Sequence, residues 1–124
     1  ITLLSRALEL EGQLSNGQST FVGGIKKKLA DLYYVQGSQA FGLEDWEKSF
    51  QSYSKAVGYV PGYERATKGL ESLAQKAVDF YNEAYVVKDS DPTHARTKWQ
   101  LVLKMVPPTN PYYAKAKSRL RALR

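Results

Sequence analysis

His94 is the single histidine of the chain, and it sits in Asp89-Ser90-Asp91-Pro92-Thr93-His94, where two carboxylates and an imidazole could be drawn around a divalent ion. One imidazole is fewer than a typical zinc centre uses, and Asp-Pro ahead of a periodic run is the layout of a helix cap. The segment therefore reads as a capping loop followed by a first-turn histidine. Acid–base or nucleophilic catalysis needs convergent groups of complementary function, and no such constellation is recognisable elsewhere. The chain has no cysteine, which excludes disulfides, thiolate ligands and a cysteine nucleophile. Gly23-Gly24 lacks both the strand before it and the Gly-Lys-Ser/Thr after it that a phosphate loop requires, so it reads as a flexible or closely packed helix start. No enzyme activity, metal or cofactor is expected.

Binding chemistry is better represented. Nine tyrosines invite base stacking, but most fall on apolar helical stripes, where core packing accounts for them. The net charge of +6 is uneven: residues 1–90 carry ten Lys/Arg and eleven Asp/Glu, whereas 91–124 carry eight Lys/Arg against Asp91 alone. In the last segment Tyr113, Ala116, Leu120 and Leu123 share one helix face, which leaves Lys115, Lys117, Arg119, Arg121 and Arg124 on the flanks as a basic patch. Such a patch is usually a solvated capping face, and its alternative is attraction to nucleic acid or an anionic surface.

The elements that carry these residues are read from periodicity. Ala66, Leu70, Leu73, Ala77, Tyr81, Ala84 and Val87 recur at three and four residues along one long helix, and Ala74, Val78 and Tyr85 widen its stripe enough to require neighbours on two sides. Asp91 or Ser90 can cap a helix that has Pro92 at its first position, and Asn110 can do the same ahead of Pro111. Pro61 and Pro107 end the helices before them, since an interior proline lacks a donor and clashes with the preceding turn. The reading is helix 1–11, loop 12–19, then helices 20–42, 45–58, 63–88, 92–105 and 111–123, with no strand. No apolar run approaches the roughly 18 residues needed to cross a bilayer.

Two of these segments repeat. Trp46 through Pro61 aligns with Pro92 through Pro107: Ser49 and Ala95 are the small residues, Tyr53 and Trp99 the aromatics four later, Ala56 and Val102 three further on. The stretch after each proline recurs too, with Tyr63, Ala66, Leu70 and Leu73 above Tyr113, Ala116, Leu120 and Leu123. A small residue beside an aromatic lets a neighbouring helix approach while the ring fills the gap, so Ser49, Ala95 and Trp99 are expected in the core.

With Gly37, Trp46, Ser49, Tyr53, Ala56 and Pro61 in place, residues 30–61 resemble the tetratricopeptide repeat. The second copy keeps Ala95, Trp99, Leu103 and Pro107 but has Asn82 and Glu83 where a glycine is expected. Pro61 and Pro107 are 46 residues apart, against about 34 in the standard repeat, so the first helix of each copy is lengthened by about three turns. The resemblance implies an all-α fold of stacked antiparallel helix pairs in a right-handed superhelix, with extended first helices and a C-terminal capping helix. One domain of residues 1–124 is expected: 1–11 the remnant of an upstream repeat, 20–61 repeat one, 63–107 repeat two and 111–124 the cap. It is also similar to repeat regions at the C-terminal side of larger bacterial signalling or scaffold proteins.

The expected function is a non-catalytic protein-interaction or scaffold module within a longer chain, engaging a partner protein or another domain of its own. Asp31, Tyr34, Ser38, Asp79, Asn82 and Glu83 on the long helices are the expected contact residues. Binding of nucleic acid or an anionic surface through the basic C-terminal helix is the second reading. Self-association to homo-oligomers is the third, since Ile1 lies inside an amphipathic pattern (Leu4, Ala7, Leu8) that reads as a helix cut from its upstream partner. The start lacks a methionine and a signal-peptide layout. A cytoplasmic placement is expected ahead of the periplasmic part of a membrane-anchored protein.

Overall fold

A computed structural model describes Ser5 and residues 19–123. The expected helix 1–11, and with it the upstream-repeat remnant, lies outside the described residues apart from Ser5. So does Arg124. Five helices follow one another with no strand among the described residues: α1 (Ser19–Gly42), α2 (Trp46–Tyr59), α3 (Glu64–Val87), α4 (Pro92–Met105) and α5 (Pro111–Ala122). None is long and apolar enough to cross a membrane.

The ends are set by local chemistry. Asp45, Asp91 and Asn110 each accept a hydrogen bond from a backbone N–H of the following turn, at Lys48, His94 and Tyr112. Each thereby satisfies a donor that the helix start leaves open, and Pro92 and Pro111 occupy first-turn positions where no donor is needed. α1 closes with Glu44 at φ 60° and hydrogen bonds from Asp45 N to Ala40 O and from Glu44 N to Phe41 O. That is a Schellman-type stop with a glutamate in the left-handed position that glycine normally fills.

α1 and α2 form one antiparallel pair. Tyr33 stacks on Tyr59 near one end and Phe41 meets Trp46 edge-on at the other, while the hydroxyl of Ser49 donates to the carbonyl of Gly37 at 2.8 Å between them. α3 and α4 form the second pair, with Tyr81 against Trp99 and Glu83 reaching His94. α5 packs on α4 and α3. The core runs through both pairs: Ser49, Ala95, Ala56, Ala66, Leu73, Ala77, Ala84 and Val102 are fully buried, and Trp99 is 1% exposed. Ser49, Ala95 and Trp99 thus occupy the places that the repeat pattern predicts for them.

The helices are staggered along one another. α1, α3 and α5 begin at Ser19, Glu64 and Pro111, about 46 residues apart. The residues that face one another across them are much closer in sequence: Asp31 meets Tyr63 and Tyr34 meets Arg65, and Tyr85 meets Arg119. α3 therefore starts roughly a dozen residues, about 20 Å, down the axis of α1, and α5 is displaced similarly along α3. The first half of α3 covers the end of α1 and the side of α2, and its second half pairs with α4 and α5. Through this stagger α3 overlaps both helix pairs.

Candidate binding surface

The expected contact residues divide into tied and free. Asp31 accepts a hydrogen bond from the hydroxyl of Tyr63. Burial, and then that bond to Asp31, raises the Tyr63 phenol above its ordinary range, because both favour the protonated form. Tyr34 is half-buried, lies against the rings of Tyr53 and Tyr63, and carries the guanidinium of Arg65 over its face. Both residues join α1 to α3 instead of facing outward. Glu83 is exposed but bridges to α4, 2.7 Å from Nε2 of His94 and 3.5 Å from Nζ of Lys98. The hydrogen bond to His94 is the main reason its carboxyl is held below the usual range. Ser38, Asp79 and Asn82 are exposed, and Asp79 accepts from Gln75 one turn earlier. Of the six, these three are exposed and make no side-chain hydrogen bond to another helix among the described residues.

His94 is thereby a link between α3 and α4. No group of three or more metal-ligating side chains is gathered among the described residues.

A groove follows the seam between α3 and α5. Near the start of α5 it opens into a cavity of about 310 Å³ lined by Glu71, Ala74, Gln75, Val78, Asn110, Pro111 and Tyr112. Its position follows from the stagger: α5 begins only opposite the middle of α3, so the side chains of Ala74 and Val78 have no long helix beyond them. Ala74, Val78 and the Tyr112 ring make an apolar floor, and Glu71, Gln75 and Asn110 a polar rim, the usual composition of a site that accepts an apolar side chain in a fixed orientation.

Two members of the basic patch lie against aromatic rings. Lys115 lies 4.7 Å above the ring of Tyr112, and Arg119 lies 4.7 Å above Tyr85 while its Nε donates to the Tyr81 hydroxyl at 3.2 Å. That hydrogen bond is the chief cause of a guanidinium pKa raised above its ordinary value. Arg119 is half-buried, whereas Lys115, Lys117 and Arg121 are exposed. Arg119 also lines a second cavity, of about 200 Å³, with Lys88, Asp89, Trp99, Ala122 and Leu123 at the far end of the same seam.

Two features escaped the sequence reading. Gly69 faces the ring of Tyr53 from α3, as Gly37 does from α1, and its recurrence 32 residues after Gly37 was the available signal. The other is an apolar stripe on α1, where Phe21, Leu32 and Val35 stand about half exposed on one face with Leu43 beyond its end at 81%. No protein-family model, curated protein or solved structure matches the chain.

Proposed function

We propose that the protein is a non-catalytic interaction module of tetratricopeptide-like helix pairs within a longer chain, binding a partner segment along the groove between α3 and α5. The cavity over Ala74, Val78 and Tyr112 carries this reading. It offers an apolar floor to one anchoring side chain, with Glu71, Gln75 and Asn110 beside it to read the neighbouring backbone or side chains, and exposed Asp79 and Asn82 further along α3 are candidates for additional contacts. Helical-repeat surfaces recognise extended peptides and partner domains in this way, through anchors in pockets and polar contacts at the rim.

Screening an immobilised peptide library with the wild-type protein and with Ala74→Arg tests the proposal. Ala74 is only half-buried, so an arginine there can reach solvent and still fill the groove. Peptides that bind the wild type should be lost in the variant while its helical circular dichroism is unchanged. Equal binding by the two proteins, or binding by neither, overturns it.

A second reading is favoured by the stripe of Phe21, Leu32 and Val35: docking of a further copy of the chain on α1. Sedimentation across micromolar concentrations, repeated with Leu32→Glu, separates the two. A monomer at every concentration counts against self-association and leaves the groove reading intact.

A further inference from the structure

We propose that the cavity between the C-terminal ends of α3 and α5 binds a compact carboxylate carried on an apolar body, with Arg119 and Lys88 supplying the charge and the indole of Trp99 the inner wall. The site lies at the opposite end of the seam from the peptide groove and does not depend on that reading.

Arg119 is oriented before any ligand arrives. Its Nε is held by the Tyr81 hydroxyl and its plane lies over the Tyr85 ring, and the ion pairs among the described residues involve Glu64, Glu83 and Asp89 but never Arg119. A guanidinium fixed on one edge and free of a carboxylate keeps its remaining N–H donors for a bidentate acceptor. Lys88 lines the same cavity, its Nζ 5.4 Å from the centroid of the same Tyr85 ring. The one acidic residue of the lining, Asp89, is turned to Lys88 at 3.2 Å with its side chain 92% exposed, so the lining keeps a net positive charge.

Trp99 adds an independent observation. Its Nε1 is the one buried side-chain polar atom without a hydrogen-bond partner among the described residues, and Trp99 borders this cavity. Buried donors are nearly always satisfied in folded proteins, so an orphan beside a cationic cavity marks a place where an acceptor belongs. The remaining wall, Ala122 and Leu123, is apolar. A cavity of about 150 Å³ accepts benzene, and the cavity here, about 200 Å³, has room for a ring or branched chain bearing one carboxylate. A bare inorganic anion would leave the apolar wall uncovered.

Such a carboxylate can come from a free acid or from the C-terminus of a peptide, and the two are separated by their probes. The full chain, labelled with nitrogen-15, would be titrated with benzoate, with an acetylated tripeptide ending in phenylalanine, with the amide of each, and with inorganic phosphate. The readout is the Trp99 indole N–H resonance, assigned through its contacts to the Tyr81 ring. At least one carboxylate should shift that resonance saturably, with its amide and phosphate about tenfold weaker or worse. Arg119→Gln should weaken binding by a similar factor and Lys88→Gln by less. Lys88 is only half-buried at the end of α3, so its variant remains informative if Arg119→Gln fails to fold. A Trp99 resonance unmoved by either carboxylate, equal response to acid and amide, equal affinity for phosphate, or a Lys88→Gln protein that binds as the wild type does would each overturn the proposal.

Discussion

Gly69 of α3 lies so close to Tyr53 of α2 that a β-carbon built on it would come within 2.5 Å of the ring carbon Cζ, and one built on Gly37 of α1 would come within 2.7 Å of Cδ1 of the same ring. The ring is a spacer gripped by two bare stretches of helix backbone. Alanine normally stabilises a helix interior by about 0.5–1 kcal/mol over glycine. Here overpacking, typically about 1–3 kcal/mol, should win. Gly69→Ala and Gly37→Ala are expected to lower stability in denaturant titrations. Gly58→Ala, with nothing within 4 Å of its β-carbon, should raise it. A stabilised Gly69→Ala would show that the Tyr53 ring moves aside freely.

Ala95 is fully buried where α4 meets its neighbours. Ala95→Leu should destabilise by roughly 1–3 kcal/mol, read as a fall in denaturation midpoint. Ser49→Ala removes the hydrogen bond to the Gly37 carbonyl and should lose about 1 kcal/mol or less, since that carbonyl stays within a helix.

Truncating Trp99 to alanine removes the largest fully buried side chain and should cost about 3–5 kcal/mol, a large share of the stability of a domain of this size. Its thermal unfolding should move to much lower temperature or vanish. A melting temperature within a few degrees of the wild type would place Trp99 outside the core.

Glu44 holds φ 60° at the end of α1, a conformation that costs a residue with a β-carbon roughly 1 kcal/mol relative to glycine. Glu44→Gly should therefore raise the denaturation midpoint, against the usual effect of adding a glycine.

Acid should weaken the link between α3 and α4. The folded-state pKa of Glu83 lies below its ordinary 4.5, so its contribution is present above that value and is lost as pH falls through the lower folded value. The pair is partly exposed and the effect small. Glu83→Gln should be less stable than the wild type at neutral pH, and the difference should close below pH 4.5. A gap that persists in strong acid would mean that Glu83 acts through packing and not through charge.

The helices were legible because their punctuation is local: Pro92 and Pro111 follow side chains that cap, and the stripe from Ala66 to Val87 has one period throughout. The buried positions of Ser49, Ala95 and Trp99 followed from the alternation of small and aromatic residues. The contact residues were less legible. Asp31, Tyr34 and Glu83 look exposed on a helical projection of one helix, but whether they are free depends on how far α3 slides along α1 and α4 along α3. That displacement is set by the Tyr53 ring between Gly37 and Gly69, an agreement among three helices that no single periodicity encodes. Arg119 likewise reads as one more surface cation until Tyr81 and Tyr85 are brought beside it.

The stagger of the long helices has a consequence for how the molecule opens. In most repeat arrays each unit touches only its neighbours through a boundary between helices, and the ends can unzip in steps. Here α3 belongs to both pairs along its length, so no plane between Pro61 and Pro92 divides the chain without breaking a helix. Amide hydrogens of α2 and α4 should exchange with solvent at one common rate, set by a single opening event, with no ladder of rates from one end to the other.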